Sequence, residues 1–259
     1  SRSEGPGGVG VKADATAPAI AVSAAGHVLV AFISGAPNLV DHATGMPLTT
    51  VFQQVWLRDM TAGTTTLVSR AGPGNGAPSA GGVSDPAIDI SAGGPVVAFM
   101  ARGVSGLQGE GIFLRTVDAA TTQVVSCKDG DCSGGVGRFA LEPSVRVVPS
   151  AAGTRCAPPA HSTPCVLVAF QTSDTSITGD AGGKTQIVVA AAAAPPLPGA
   201  APGAFDQFST VSRQNLTTVG NAASSAPILS ADGKAVAFLS DATNLTVDTL
   251  PPNARQAFL

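Results

Sequence analysis

Four cysteines arranged as two close pairs are the residues whose spacing points most directly to chemistry. One pair is Cys127-Lys-Asp-Gly-Asp-Cys132; the other, Cys156 and Cys165, brackets a proline-rich segment. Four cysteines allow three pairings. The local one is favoured, because Asp129-Gly130 makes a tight turn and each pair encloses one short loop. Closing such loops contributes roughly 2–3 kcal/mol each, and disulfides belong to an oxidising compartment. A four-cysteine zinc site is the competing reading, but it asks for two-residue spacings that neither pair has. The disulfide reading is preferred, with export to the periplasm, the cell envelope or the exterior as its consequence.

The remaining candidates for chemistry are sparse. His27, His42 and His161 are the only histidines, and none stands beside a serine or cysteine in a nucleophile motif. Neither Gly-x-Ser-x-Gly nor His-Glu-x-x-His occurs, so no catalytic residue is assigned. Asn38 and Asn244 each lie six residues beyond a repeated phenylalanine, with acids following at Asp41 and Asp248, and at Asp174 and Asp180 in a related loop. Such oxygens are calcium ligands in other settings, but the dense alternating acidic spacing of a calcium loop is missing. Side chains capping turns explain them better. Loop-bound calcium is thus the one cofactor the sequence raises, and it is subordinate to no cofactor at all. Lys+Arg 14 against Asp+Glu 17 gives a net charge of −3 with no basic run, which argues against nucleic-acid binding. The longest apolar run, Ile187 to Ala194, stops at Pro195-Pro196 and is far short of the roughly 18 residues of a membrane-spanning helix.

These residues are strung on a repeated phrase: a proline, an alternating apolar stretch, a serine, a glycine turn and Val-Ala-Phe. The copies end at Phe32, Phe99, Phe170 and Phe238, spaced 67, 71 and 68 residues apart. A second ruler agrees, since a serine precedes the proline by 17, 17, 17 and 15 residues at Ser1/Pro18, Ser69/Pro86, Ser126/Pro143 and Ser212/Pro227. A fixed period of this size signals a repeat architecture. Turn chemistry cuts each copy into short strands. The first copy predicts strands at Pro18–Ser23, His27–Ser34, Gln54–Asp59 and Thr64–Ser69, and the second at Pro86–Ser91, Val96–Ala101, Gly111–Thr116 and Thr122–Ser126. The third predicts Pro143–Val148, Val166–Thr172, Thr185–Ala190 and Gln207–Ser212. The fourth predicts Pro227–Ser230, Ala235–Ser240 and Gln256–Leu259. The alanine run at 190–194 reads as a strand end, being too short for an independent helix. Gly (31) and Pro (20) supply the many turns such a pattern needs. The expectation is an all-β chain of four-stranded antiparallel units over 1–259, with repeats at about 17–69, 85–126, 142–212 and 226–259.

The stretch from Ala226 through Pro-Ile-Leu-Ser-Ala-Asp-Gly-Lys-Ala-Val-Ala-Phe-Leu to Ser240 resembles the TolB-like, WD40-like bacterial β-propeller repeat. Gln54-Val-Trp-Leu-Arg-Asp59 resembles the third strand of the same repeat. The resemblance implies a β-propeller of four-stranded blades. Its structural positions here are Gly26, Phe32, Phe99, Phe170, Asp232, Gly233 and Phe238; only the fourth copy keeps the Asp-Gly turn. Both chain ends are expected to fall inside repeats, leaving a segment incomplete at both ends with an edge prone to association. Families with this repeat bind partners or accompany enzymes, and the repeat carries no catalytic motif. The functional expectation is therefore an exported, non-enzymatic binding or scaffold module whose partner is a protein or a cell-envelope component. The alternative is an accessory propeller of a larger hydrolase or peptidase that gates or positions substrate. Arg58-Asp59, with Arg115-Thr116 as a weaker copy, reads as local strand pairing in preference to a partner contact.

Overall fold

In the computed structural model the described residues are 10, 12–48, 50–102, 104, 110–127, 139–149, 164–180, 182–195, 199–200, 203–247 and 254–259. They form an all-β structure dominated by antiparallel sheets. The first sheet contains β1 (Ala15–Val22), β2 (Val28–Ser34), β5 (Gln54–Asp59) and β6 (Thr64–Leu67), in that order. Between β2 and β5 the chain makes a small two-stranded ribbon, β3 (Val40–Asp41) with β4 (Met46–Pro47). The second sheet is the meander β7 (Val83–Ser91), β8 (Gly94–Arg102), β9 (Glu110–Thr116) and β10 (Thr121–Val124). The third repeats it with β11 (Ala140–Val148), β12 (Cys165–Thr172), β13 (Gln186–Ala193) and β14 (Gln207–Thr210). The fourth sheet comprises β15 (Ser224–Leu229), β16 (Val236–Ser240) and β17 (Gln256–Phe258).

Every strand anticipated from the repeat is present, and the register is the same each time. Phe32 pairs with Trp56, Phe99 with Phe113, Phe170 with Val188 and Phe238 with Phe258. Because side chains alternate along a strand, each sheet has a face carrying the phenylalanine and a face carrying the preceding alanine. Apolar residues on both faces of β2, β8 and β12 are buried, as strands with apolar residues at nearly every position require. The first strands β1, β7, β11 and β15 lie side by side in chain order, and no comparable packing joins β15 back to β1. Three apolar clusters fill the spaces between successive sheets.

Two details refine the strand boundaries. Each first strand begins about three residues before its proline, because the chain passes the proline in a bulge, with register shifts at Thr16/Ala19, Ser84/Ala87, Leu141/Ser144 and Ser225/Ile228. Proline has no N–H to give the ladder, and the residue before it takes a left-handed conformation: Ala17 (φ 48°), Asp85 (51°), Glu142 (53°) and Ala226 (52°). Such backbone costs of order 1–3 kcal/mol per residue and persists only where the surroundings enforce it. At the other end, the serine of the second ruler closes the sheet through its side chain. Ser69, Ser126 and Ser212 accept hydrogen bonds from the N–H groups of Val55 (2.9 Å), Ile112 (3.0 Å) and Ile187 (2.8 Å).

The ribbon β3–β4 and a single helical turn, α1 (Thr175–Thr178), were not legible as elements. Both are held by side chains. Asp174 caps α1 by accepting from the Ser176 N–H, and Gly179 ends it at φ 71°. The turn of the ribbon is closed by Thr44 Oγ1 donating to Asp41 Oδ2 (2.7 Å).

Candidate functional site

The described residues that gather the most buried charge are Asp41, Arg70 and Arg115, at the junction of the first and second sheets. Asp41 stands on β3, which the inserted ribbon lays alongside β6: the His42 N–H donates to the Thr65 carbonyl, and the Leu67 N–H donates to Asp41 Oδ1. Arg70 follows Ser69 at the end of the sheet. Its Nη2 donates to Asp41 Oδ2 at 2.5 Å and its Nη1 to the Gly76 carbonyl at 2.6 Å. Arg115 projects from β9 and reads the same connection from the other side. It donates to the carbonyls of Gly72 (3.4 Å) and Gly74 (2.9 Å), to Asn75 Oδ1 (3.2 Å) and to Thr122 Oγ1 (3.0 Å). Two arginines from different sheets therefore clasp the 70–78 connection.

The electrostatics follow from burial. Desolvation pushes the Asp41 carboxyl up, but hydrogen bonds from Thr44, the Leu67 N–H and Arg70 together outweigh it and hold the pKa below the usual value. Arg115 is pushed down to about 10, first by burial and then by the like charge of Arg70, with Asp41 opposing. Asp41 is saturated by its donors, so its oxygens hold loops and offer no base. Beside the pair lies a cleft of about 250 Å³ between the ribbon and the 75–78 segment. Met46, Leu48, Trp56, Leu67 and Pro78 line it, with Asp41 and Arg70 at its polar end. The arrangement suits recognition of a partly apolar group; it assembles no nucleophile with a base.

The sequence candidates are distributed as follows. His27 is exposed in the β1–β2 turn, and His42 follows β3. Asn38 and Asn244 each clamp backbone that precedes β1 or β15. Asn38 accepts from the Lys12 N–H and donates to the Gly10 carbonyl; Asn244 accepts from the Asn221 N–H and donates to the Val219 carbonyl. Asp180 accepts from the N–H groups of Gly182 and Lys184. Among the described residues, no group of three His, Cys, Asp or Glu side chains is placed to hold a metal ion. Asp232 accepts from Ser230 and from the Lys234 N–H in the turn that Gly233 (φ 68°) completes. Arg58 and Arg115 are buried and bond across the strand pair to Thr65 and Thr122, respectively. Cys127 and Cys165 are not free thiols. Cys132, Cys156, His161 and Asp248 lie outside the described residues, as do the pairings they were expected to make. No helix among the described residues is long and apolar enough to cross a membrane.

Arg70 escaped the sequence reading, which singled out Asp41 only as a turn-capping or calcium-binding acid and not as the partner of an arginine. The available signal was the Ser-Arg dipeptide, which recurs at Ser212-Arg213, where Arg213 Nη1 likewise reaches back to the carbonyl of its own connection, at Leu216 (3.0 Å). Gln54 and Gln186 escaped it too. Each accepts from the closing serine and donates to a carbonyl of the next connection, at Ser79 and Gly220.

No family model and no curated protein matches the chain.

Proposed function

We propose that the sheets are consecutive blades of a TolB-like, WD40-like β-propeller, and that the protein is an exported, non-enzymatic binding or scaffold module. Its partner is a protein or another component of the cell envelope. The observation that carries the reading is the identical register of successive antiparallel meanders, with their first strands ranked side by side. A regular scaffold of this kind leaves recognition to the parts that do not repeat. The β3–β4 ribbon and its cleft are such a part: among the described residues, a ribbon paired between second and third strands is found in the first sheet alone. Local disulfides at Cys127/Cys132 and Cys156/Cys165 belong to the same proposal and place the protein outside the reducing cytoplasm.

The test is a binding experiment with a built-in control. Purified protein is exposed to a fractionated envelope extract, and captured components are compared between the parent and a Met46→Asp variant. Met46 is exposed at the mouth of the cleft, so the change spares folding. The expected result is a specific partner retained by the parent and lost by the variant. Turnover of ester or peptide substrates by the purified chain, or capture indifferent to Met46, overturns the reading.

A further inference from the structure

Asn75 is the only asparagine of the chain that precedes a glycine. In such a pair the glycine nitrogen can attack the side-chain amide carbon, because no Cβ shields it. The attack needs a free nitrogen and a reachable amide, and the 70–78 connection supplies both. Asn75 and Gly76 are exposed, and a Cβ placed on Gly76 would meet nothing within 4 Å. Among the described residues the Gly76 N–H makes no hydrogen bond. The two arginines take the carbonyls of Gly72, Gly74 and Gly76 and leave that N–H untouched. Arg115 does one thing more. Its Nη2 donates to Asn75 Oδ1 at 3.2 Å, so a positive charge sits on the oxygen that turns anionic when the amide carbon is attacked. Asp232-Gly233, the other pair of this kind among the described residues, gives the contrast. There the glycine N–H is held by the Ser230 carbonyl at 3.0 Å. Hydrogen bonds led by that from Ser230 keep the Asp232 carboxyl below its ordinary value, hence ionised and resistant to attack.

We infer that Asn75 is a self-modification site: it deamidates in the folded protein, and the carboxylate so formed pairs with Arg115. The Gly76 nitrogen bonds to Asn75 Cγ, the Cγ–Nδ2 bond breaks, and the Gly76 proton leaves with Nδ2 as ammonia. Solvent water then opens the cyclic imide. Cleavage of the new Cγ–N bond gives aspartate, and cleavage of the original peptide C–N bond gives isoaspartate. Water enters and ammonia leaves, with no change of oxidation state. The surroundings suit the product. Buried Arg70 and Arg115 face the single carboxylate of Asp41, and Arg115 feels the excess, being pushed down to about 10 by burial and then by Arg70. A carboxylate at position 75 supplies the missing charge where Arg115 already reaches, at the edge of the cleft that Asn75 lines. The change runs one way, so it alters the polar end of the cleft with the age of the molecule. The inference concerns the connection itself and stands whether or not the cleft holds a partner.

Peptide mapping by mass spectrometry, on folded protein held in mildly alkaline buffer, tests the site. The expected result is conversion at Asn75 with release of ammonia, while Asn38, Asn215, Asn221 and Asn244 keep their amides. Gly76→Ala puts a side chain beside the attacking nitrogen and should slow conversion at least about tenfold. Urea unfolding tests the partner. Asn75→Asp should raise the midpoint at unchanged slope, and added salt should shrink the gain by screening the new pair. The gain should vanish when Arg115→Gln is also present. If that variant does not fold, the salt dependence carries the same test. An Asn75 that keeps its amide, conversion that Gly76→Ala leaves as fast, or an Asn75→Asp midpoint no higher than the parent's overturns the inference. So does a gain that ignores both salt and Arg115→Gln.

Discussion

Asp41 and Arg70 hold the inserted ribbon to the end of the first sheet, and both are almost fully buried. Removing one partner of such a pair leaves an uncompensated charge and costs about 3–5 kcal/mol. Asp41→Ala should therefore destabilise the protein by that amount at pH 7, as measured by urea unfolding. The pH dependence has a definite sign. The folded carboxyl titrates below its ordinary value, so the stability it contributes is present above the unfolded pKa of about 3.9 and is lost as the pH falls through the lower folded value. The gap between parent and Asp41→Ala should shrink in acid; a gap as wide at about pH 2.5 as at pH 7 contradicts the assignment. Asp85 illustrates the opposite kind of residue, one whose backbone is strained. Asp85→Gly relieves a left-handed conformation at an exposed position and should stabilise by about 1 kcal/mol. Little of this was legible in the sequence. Asp41 and Arg70 are 29 residues apart and Arg115 meets Gly74 across 41, so no local pattern announces either contact.

Elements were far more legible than side-chain contacts, and the reason is physical. Alternation and glycine turns act over a few residues, so the strands from β1 to β17 follow from local chemistry. The exceptions were elements that local chemistry does not sustain. β3–β4 and α1 are too short to bury a face of their own and persist through the Asp41 and Asp174 side chains. The residues before Pro18, Pro86, Pro143 and Pro227 pair with the second strand although proline usually ends a strand, because a bulge carries the chain past it. The closing serines are the devices that matter most at this scale. Ser126→Ala leaves the Ile112 N–H without its acceptor and should cost about 1–3 kcal/mol, seen as a lowered urea midpoint with unchanged slope. In the fourth sheet the turn at Gly233 meets the third: a Cβ there would lie 2.6 Å from Leu167 Cδ1 and 2.8 Å from Val148 Cγ1. With φ at +68° as well, Gly233→Ala should destabilise by about 1–3 kcal/mol, and a neutral result would mean that the turn does not touch the third sheet.

For the whole molecule, the repeat turns a modest set of residues into a layered core. Apolar residues at fixed register give each sheet a face carrying the phenylalanine and a face carrying the preceding alanine, and successive sheets pack one kind of face against the other. Side chains also stitch adjacent first strands together, since Asp89 Oδ2 accepts from the Val147 N–H at 2.8 Å and Ser144 Oγ from the Leu229 N–H at 3.1 Å. The order of sheets was implicit in the period; the left-handed residues and the buried arginine clasp were not. Nuclear magnetic resonance in solution tests the stack most directly. The account predicts through-space contacts linking Asp89 with Val147 and Ser144 with Leu229. Absence of both links, with the first strands of neighbouring repeats found far apart, would contradict it.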